Sequence, residues 1–111
     1  MRGLIPIFVL FAGSVAAQDS TFTPLDGPAI ADTLTGQRVT YDGAWQEFRA
    51  SGRTLYNAGR DSWGYWAVRG DQYCSRWPPS DLWACYDMAR RGDVVRFTGP
   101  SGDTTDGRLM D

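Results

Sequence analysis

Residues 73–86 read YCSRWPPSDLWACY, and this stretch decides the fold. Two strand-like segments rich in aromatics flank a Trp-Pro-Pro-Ser-Asp-Leu turn, and proline at the second position suits a tight turn. With Pro79 and Ser80 as the central residues, Trp77 lies opposite Leu82, Arg76 opposite Trp83 and Cys74 opposite Cys85. The hairpin geometry therefore predicts a cross-strand Cys74–Cys85 disulfide, provided strand twist keeps the two Cβ atoms within bridging distance. A bridge closing so short a loop contributes on the order of 3 kcal/mol through chain entropy.

Outward from this hairpin the punctuation is regular. Asp42-Gly43, Ser51-Gly52, Ala58-Gly59, Gly70-Asp71, Gly92-Asp93 and Ser101-Gly102-Asp103 supply turn chemistry about every ten residues. Between them lie QRVTY, AWQEF, RTLYN, SWGYWAV, QYCSRW, LWACYDM, DVVRFT and TTDGRLM, rich in β-branched and aromatic residues. The expectation is an all-β domain: a small antiparallel meander or barrel of six to eight strands over residues 37–111, with one disulfide. Residues 18–36 read as an extended arm followed by one short helix. Asp26 or Gly27 caps it, Pro28 opens it, Gly36 stops it, and Ile30 and Leu34 form its buried stripe.

Residues 1–17, MRGLIPIFVLFAGSVAA, have the layout of a secretory signal peptide. Arg2 makes the charged start, Leu4 to Ala12 the short apolar run, and Val15 and Ala17 the small residues before cleavage. The apolar run is too short to span a bilayer, so a periplasmic or secreted domain without stable membrane insertion is expected.

Composition narrows the chemistry. Of 111 residues, 14% are aromatic, and the chain contains no histidine and only two cysteines. Histidine-based triads and histidine-containing zinc sites are excluded, and two thiolates cannot complete a four-cysteine site. All eleven basic residues are arginine, there is one glutamate, and the net charge is −2. That balance disfavours a general nucleic-acid surface. No cofactor motif is present, no metal-ligand spacing occurs, and DTTDG lacks the alternating ligands of a calcium loop.

Arg-Gly-Asp occurs at 69–71 and 91–93. In both places Gly-Asp separates two strand segments, so each is read as a hairpin turn rather than an adhesive motif. The cysteines stand eleven apart in a strand-like setting, which suits a structural bridge rather than a redox dithiol. Strand alternation puts Trp63, Tyr65 and Ala67 on one face and Trp66 and Val68 on the other. It also groups Cys74, Cys85, Arg76 and Trp83 against Tyr73, Trp77, Leu82 and Tyr86. The candidate binding surface is Trp63, Tyr65, Arg76 and Trp77, an aromatic platform with a guanidinium beside it.

The order LTG, Y-D-G-x-W, G-R-T-L-Y, W-G-Y-W-x-V-x-G-D-x-Y-C, W-P-P-S-D-x-W-x-C-Y-D and G-D-x-V-x-F resembles small exported β-proteins of alphaproteobacteria. Some of those carry the label dihydrodipicolinate reductase, which would imply a Rossmann domain. This chain has no G-x-G-x-x-G after a strand and no room for the βαβ units. The layout also resembles periplasmic inhibitors of proteases or lysozyme, which are small disulfide-linked β-barrels. The expectation is a monomeric, non-catalytic binding domain for an envelope protein or glycan. The alternatives are a hydrolase inhibitor or a small enzyme resting on carboxylates, Tyr, Ser/Thr or Arg.

Overall fold

The computed structural model describes residues 21–110, so the signal peptide expected at residues 1–17 lies outside the described residues. In chain order the elements are β1 (Thr23–Pro24), α1 (Gly27–Leu34), β2 (Gln37–Tyr41), β3 (Ala44–Phe48), β4 (Arg53–Asn57) and β5 (Asp61–Arg69). They continue with β6 (Gln72–Arg76), β7 (Ala84–Arg91), β8 (Val94–Thr98) and β9 (Thr104–Met110). Each of the eight aromatic and β-branched segments forms one strand, β2 to β9.

Those eight strands close into an antiparallel barrel. Neighbours in sequence pair from β2 through β9, and β9 returns to β2 through Arg38↔Met110, Val39↔Leu109 and Thr40↔Arg108. Closure removes free strand edges. β1 extends the sheet beside β7, where Thr23↔Arg90 and Pro24↔Ala89 continue the side that β6 occupies nearer the other end.

Gly43, Gly70 and Gly92 all have positive φ and sit in two-residue connections at Asp42-Gly43, Gly70-Asp71 and Gly92-Asp93. Both Arg-Gly-Asp tripeptides are therefore hairpin corners. The carboxylate of Asp71 turns back and accepts the Gly27 N–H at 2.8 Å, fastening the helix start to the β5–β6 turn.

The helix is the plug at that end of the barrel. Asp26 caps it by accepting from Ala29 N at 3.0 Å. Gly36 ends it with φ +76° and donates to the Phe48 carbonyl at 2.7 Å. Ile30 and Leu34, one turn apart, are fully buried against Val39, Phe48, Trp66, Met88 and Val95. Phe48 meets Trp66 and Tyr73 edge-on at 5.6 and 5.7 Å between centroids. Trp66 satisfies its indole N–H on the Arg49 carbonyl at 2.9 Å.

Cys74 and Cys85 are direct cross-strand partners, bonded with their Cα atoms 4.0 Å apart. The turn that joins their strands differs from the expected one. Pro78 and Pro79, joined by a cis bond, occupy its centre, and Ser80 N donates to the Trp77 carbonyl at 3.1 Å. Residues 80–83 then run outside the ladder. Trp77 and Leu82 consequently do not pair, and Leu82 is 77% exposed instead of sharing the face of Tyr73 and Tyr86. Among the described residues no helix is long and apolar enough to cross a membrane.

Candidate functional site

Strand alternation sorts the aromatics into two environments that share one wall. On the outside of β3 to β6, Arg53, Tyr65 and Arg76 stand in direct cross-strand register. Two strand spacings separate the arginines, on the order of 10 Å. Arg76 lies over the Tyr65 ring at 4.5 Å and near the Trp83 ring at 5.7 Å. Arg53 lies over Trp63 at 4.6 Å, Arg49 over the same ring at 4.9 Å, and Arg69 over Trp83 at 4.2 Å. Arg38 over Trp45 at 3.9 Å extends the pattern onto β2 and β3.

This belt therefore holds five arginines on four rings. Its one glutamate is engaged, because Glu47 pairs with Arg38 and with Arg49. The hydrogen bond from Arg38 holds the Glu47 carboxyl below its ordinary range, with Arg49 adding to the effect and desolvation opposing it. Arg53, Arg69 and Arg76 have no carboxylate partner among the described residues. Their guanidinium planes rest on rings while their N–H edges stay available. Each stacked pair is worth about 0.5–1 kcal/mol at an exposed site, and the stack limits the freedom that anion binding would otherwise remove.

On the inside, the end of the barrel away from the helix opens into a recess of about 950 Å³. Its floor is a polar knot. Gln46 gives one amide nitrogen to Thr54 Oγ1 at 3.0 Å and Tyr73 Oη at 3.2 Å, and its oxygen accepts from Tyr41 at 2.9 Å. The Thr54 hydroxyl donates in turn to the Glu47 carbonyl at 2.7 Å. Burial pushes the Tyr73 hydroxyl up to about 12, against opposing hydrogen bonds from Ser75 and Gln46. Burial drives Tyr41 well above the phenol range, and Tyr73 and Tyr56 add to that shift. Both phenols stay protonated and serve as hydrogen-bonding groups at neutral pH.

The walls of the recess include Tyr56, Tyr86, Trp77 and Phe97. Trp77 lies across the β5 backbone: a Cβ built on Gly64 would meet its ring at 2.6 Å. Its indole N–H donates to Ser75 Oγ at 3.2 Å, and Tyr56 contacts its ring edge-on at 6.1 Å.

The four residues of the expected platform are thus divided. Trp63, 40% exposed, Tyr65, 37% exposed, and Arg76 belong to the outer wall. Trp77 lines the mouth on the other side of the sheet, where Trp63 also reaches the rim of the recess. The alternation of QYCSRW already opposes Arg76 to Trp77, and the structure keeps that opposition through the end of β6. Arg53 and Arg69 complete the wall; the signal for them was the register of β4 and β6 on β5. Trp83 follows the face expected of it beside Arg76.

Among the described residues, no group of three or more His, Cys, Asp or Glu side chains is placed to hold a metal ion. No protein-family model, curated protein or solved structure matches this chain.

Proposed function

We propose that the chain is an exported, non-catalytic binding domain that grips an anionic partner in the bacterial envelope through the outer wall of its barrel. The observation that carries this reading is the set Arg53, Arg69 and Arg76: three guanidinium groups ordered on aromatic rings, with no carboxylate partner among the described residues. Keeping three such groups uncompensated on a chain of net charge −2 suits recognition from outside. Arginine and the aromatics Trp and Tyr are also the residues that dominate binding energy at interfaces. The export signal expected at residues 1–17 would place the domain where an oxidised Cys74–Cys85 bridge persists.

The test is capture of native envelope material on the immobilised, oxidised chain. A saturable partner held by the wild type and lost with Arg53→Gln/Arg76→Gln supports the wall as the binding surface. Equal retention by that variant, with its fold unchanged by circular dichroism, removes the wall from the account.

A second reading, inhibition of an envelope hydrolase, draws on one feature. The loop after Pro79 presents Leu82 to solvent above the disulfide, with Leu82 N donating to Ser80 Oγ at 3.2 Å. Stoichiometric titration against lysozyme and secreted proteases separates the two, because inhibition should fail with Leu82→Ser and survive the arginine substitutions.

A further inference from the structure

We infer that the open mouth of the barrel is a second binding site, built for an uncharged sugar of one or two rings. It lies on the opposite side of the sheet from the outer wall and differs from it in chemistry.

Size and access come first. A recess of about 950 Å³ falls within the range of small-ligand pockets. An eight-stranded barrel can also leave room for one small ligand in its interior. The helix closes the far end and the mouth stays open, so a ring can enter while any attached chain remains outside.

Charge then selects the ligand. No arginine lines the recess; the charged residues on its lining are Asp42 and Asp106, both exposed. Asp106 is held by a paired contact with Arg96, at 2.8 and 2.9 Å. Among the described residues an anion would meet no cation on the lining, and Asp42 carries a carboxylate at the mouth. A small quaternary ammonium needs aromatic faces closed tightly around it, whereas this recess is far larger than one ammonium group.

The remaining polar groups point to a hydroxylated ring. The floor is already self-satisfied through Gln46, Thr54, Tyr41 and Tyr73, so it is rigid and asks nothing of a ligand. By contrast, the hydroxyls of Tyr56 and Tyr86 make no hydrogen bond among the described residues, although both side chains line the recess. Each can donate and accept, as can each hydroxyl of a neutral sugar. Trp77, seated on the backbone at Gly64, contributes a fixed aromatic edge to the same space.

The experiment titrates the oxidised chain with N,N′-diacetylchitobiose, cellobiose and maltose, following the indole N–H resonances by NMR. Trp77 is assigned from Trp77→Phe. The expected result is a saturable shift of the Trp77 resonance by at least one disaccharide, insensitive to salt. Tyr56→Phe and Tyr86→Phe should each weaken that affinity roughly three- to tenfold and leave the melting temperature unchanged, because neither hydroxyl has a hydrogen-bond partner among the described residues.

The inference is overturned if none of the three disaccharides moves the resonance. It is also overturned if choline moves it in their place, or if the double Phe variant binds as tightly as the wild type. If the wild-type chain binds no polyanion while the mouth titration stays intact, the outer-wall reading alone is overturned, so the two proposals fail separately.

Discussion

The two ends of this barrel handle the same kind of residue in opposite ways. At the helix end the interior is filled and fastened: Ile30 and Leu34 fill the opening, Trp66 caps the Arg49 carbonyl, and Asp71 ties the helix to a two-residue turn. At the mouth the hydroxyls of Tyr56 and Tyr86 make no hydrogen bond among the described residues and stand around open space. One end provides stability, and the other leaves hydrogen-bonding capacity and aromatic surface for something outside the chain. Rings alone therefore do not mark a site in this protein; a ring beside an unspent polar group does. By that criterion the outer wall is a site as well, since Arg53, Arg69 and Arg76 are ordered on rings but have no carboxylate partner among the described residues.

The comparison breaks most easily at the plug. Leu34→Ala or Ile30→Ala should cost about 2–5 kcal/mol in urea unfolding, the usual range for emptying a packed core position. Tyr86→Phe at the mouth should change stability by no more than about 0.5 kcal/mol. Equal losses at both ends would abolish the distinction. Next in size is the disulfide: Cys74→Ser/Cys85→Ser should lower stability by about 2–3 kcal/mol, read from the same unfolding curves.

Gly64→Ala sharpens the comparison within a single strand. Its added methyl would press into the Trp77 ring at 2.6 Å and the Arg76 carbonyl at 2.8 Å. A cost of about 1–3 kcal/mol is expected. The Trp77 indole resonance should move while that of Trp66, at the closed end, stays in place.

The smallest effect concerns acid. Glu47 and Asp106 both have folded values below the ordinary carboxylate range, from the hydrogen bonds of Arg38 and Arg96. A carboxyl depressed in the folded state contributes stability that is present above its unfolded value. That contribution is lost as pH falls through the folded value. Stability should therefore decline only slightly below the normal carboxylate range, because water screens such exposed pairs. Glu47→Gln should flatten the decline; an unchanged acid limb would mean that the Arg38–Glu47–Arg49 cluster is not formed in solution.

Much of the fold was legible because its signals are local. The glycine turns, the Asp26-Gly27-Pro28 start and the Cys74↔Cys85 register each depend on neighbours a few residues away. Barrel closure was not legible to the same degree, since β9 meets β2 across most of the chain and only the fold brings Val39 to Leu109. The wall was half legible. Alternation put Trp63 beside Tyr65, but placing Arg53 on their face required the exact register of β4 on β5. The mouth was hardest to read: Tyr41, Gln46 and Tyr73 come from separate strands, and their hydrogen-bonded knot has no signature in the sequence. A single platform holding both Trp77 and Arg76 fails because the pleat sends neighbouring residues of one strand to opposite sides of the sheet.

The most direct measurement is the salt dependence of polyanion binding. Polygalacturonate and poly-L-glutamate would be titrated against wild type and against Arg53→Gln/Arg76→Gln, at a series of salt concentrations. The account predicts saturable binding of at least one polymer by the wild type, weakening steadily with salt, and its loss in the variant with the melting temperature nearly unchanged. Wild-type binding that ignores salt, or a variant that binds as the wild type does, would contradict the claim that the unpaired arginines of the outer wall are what the domain uses.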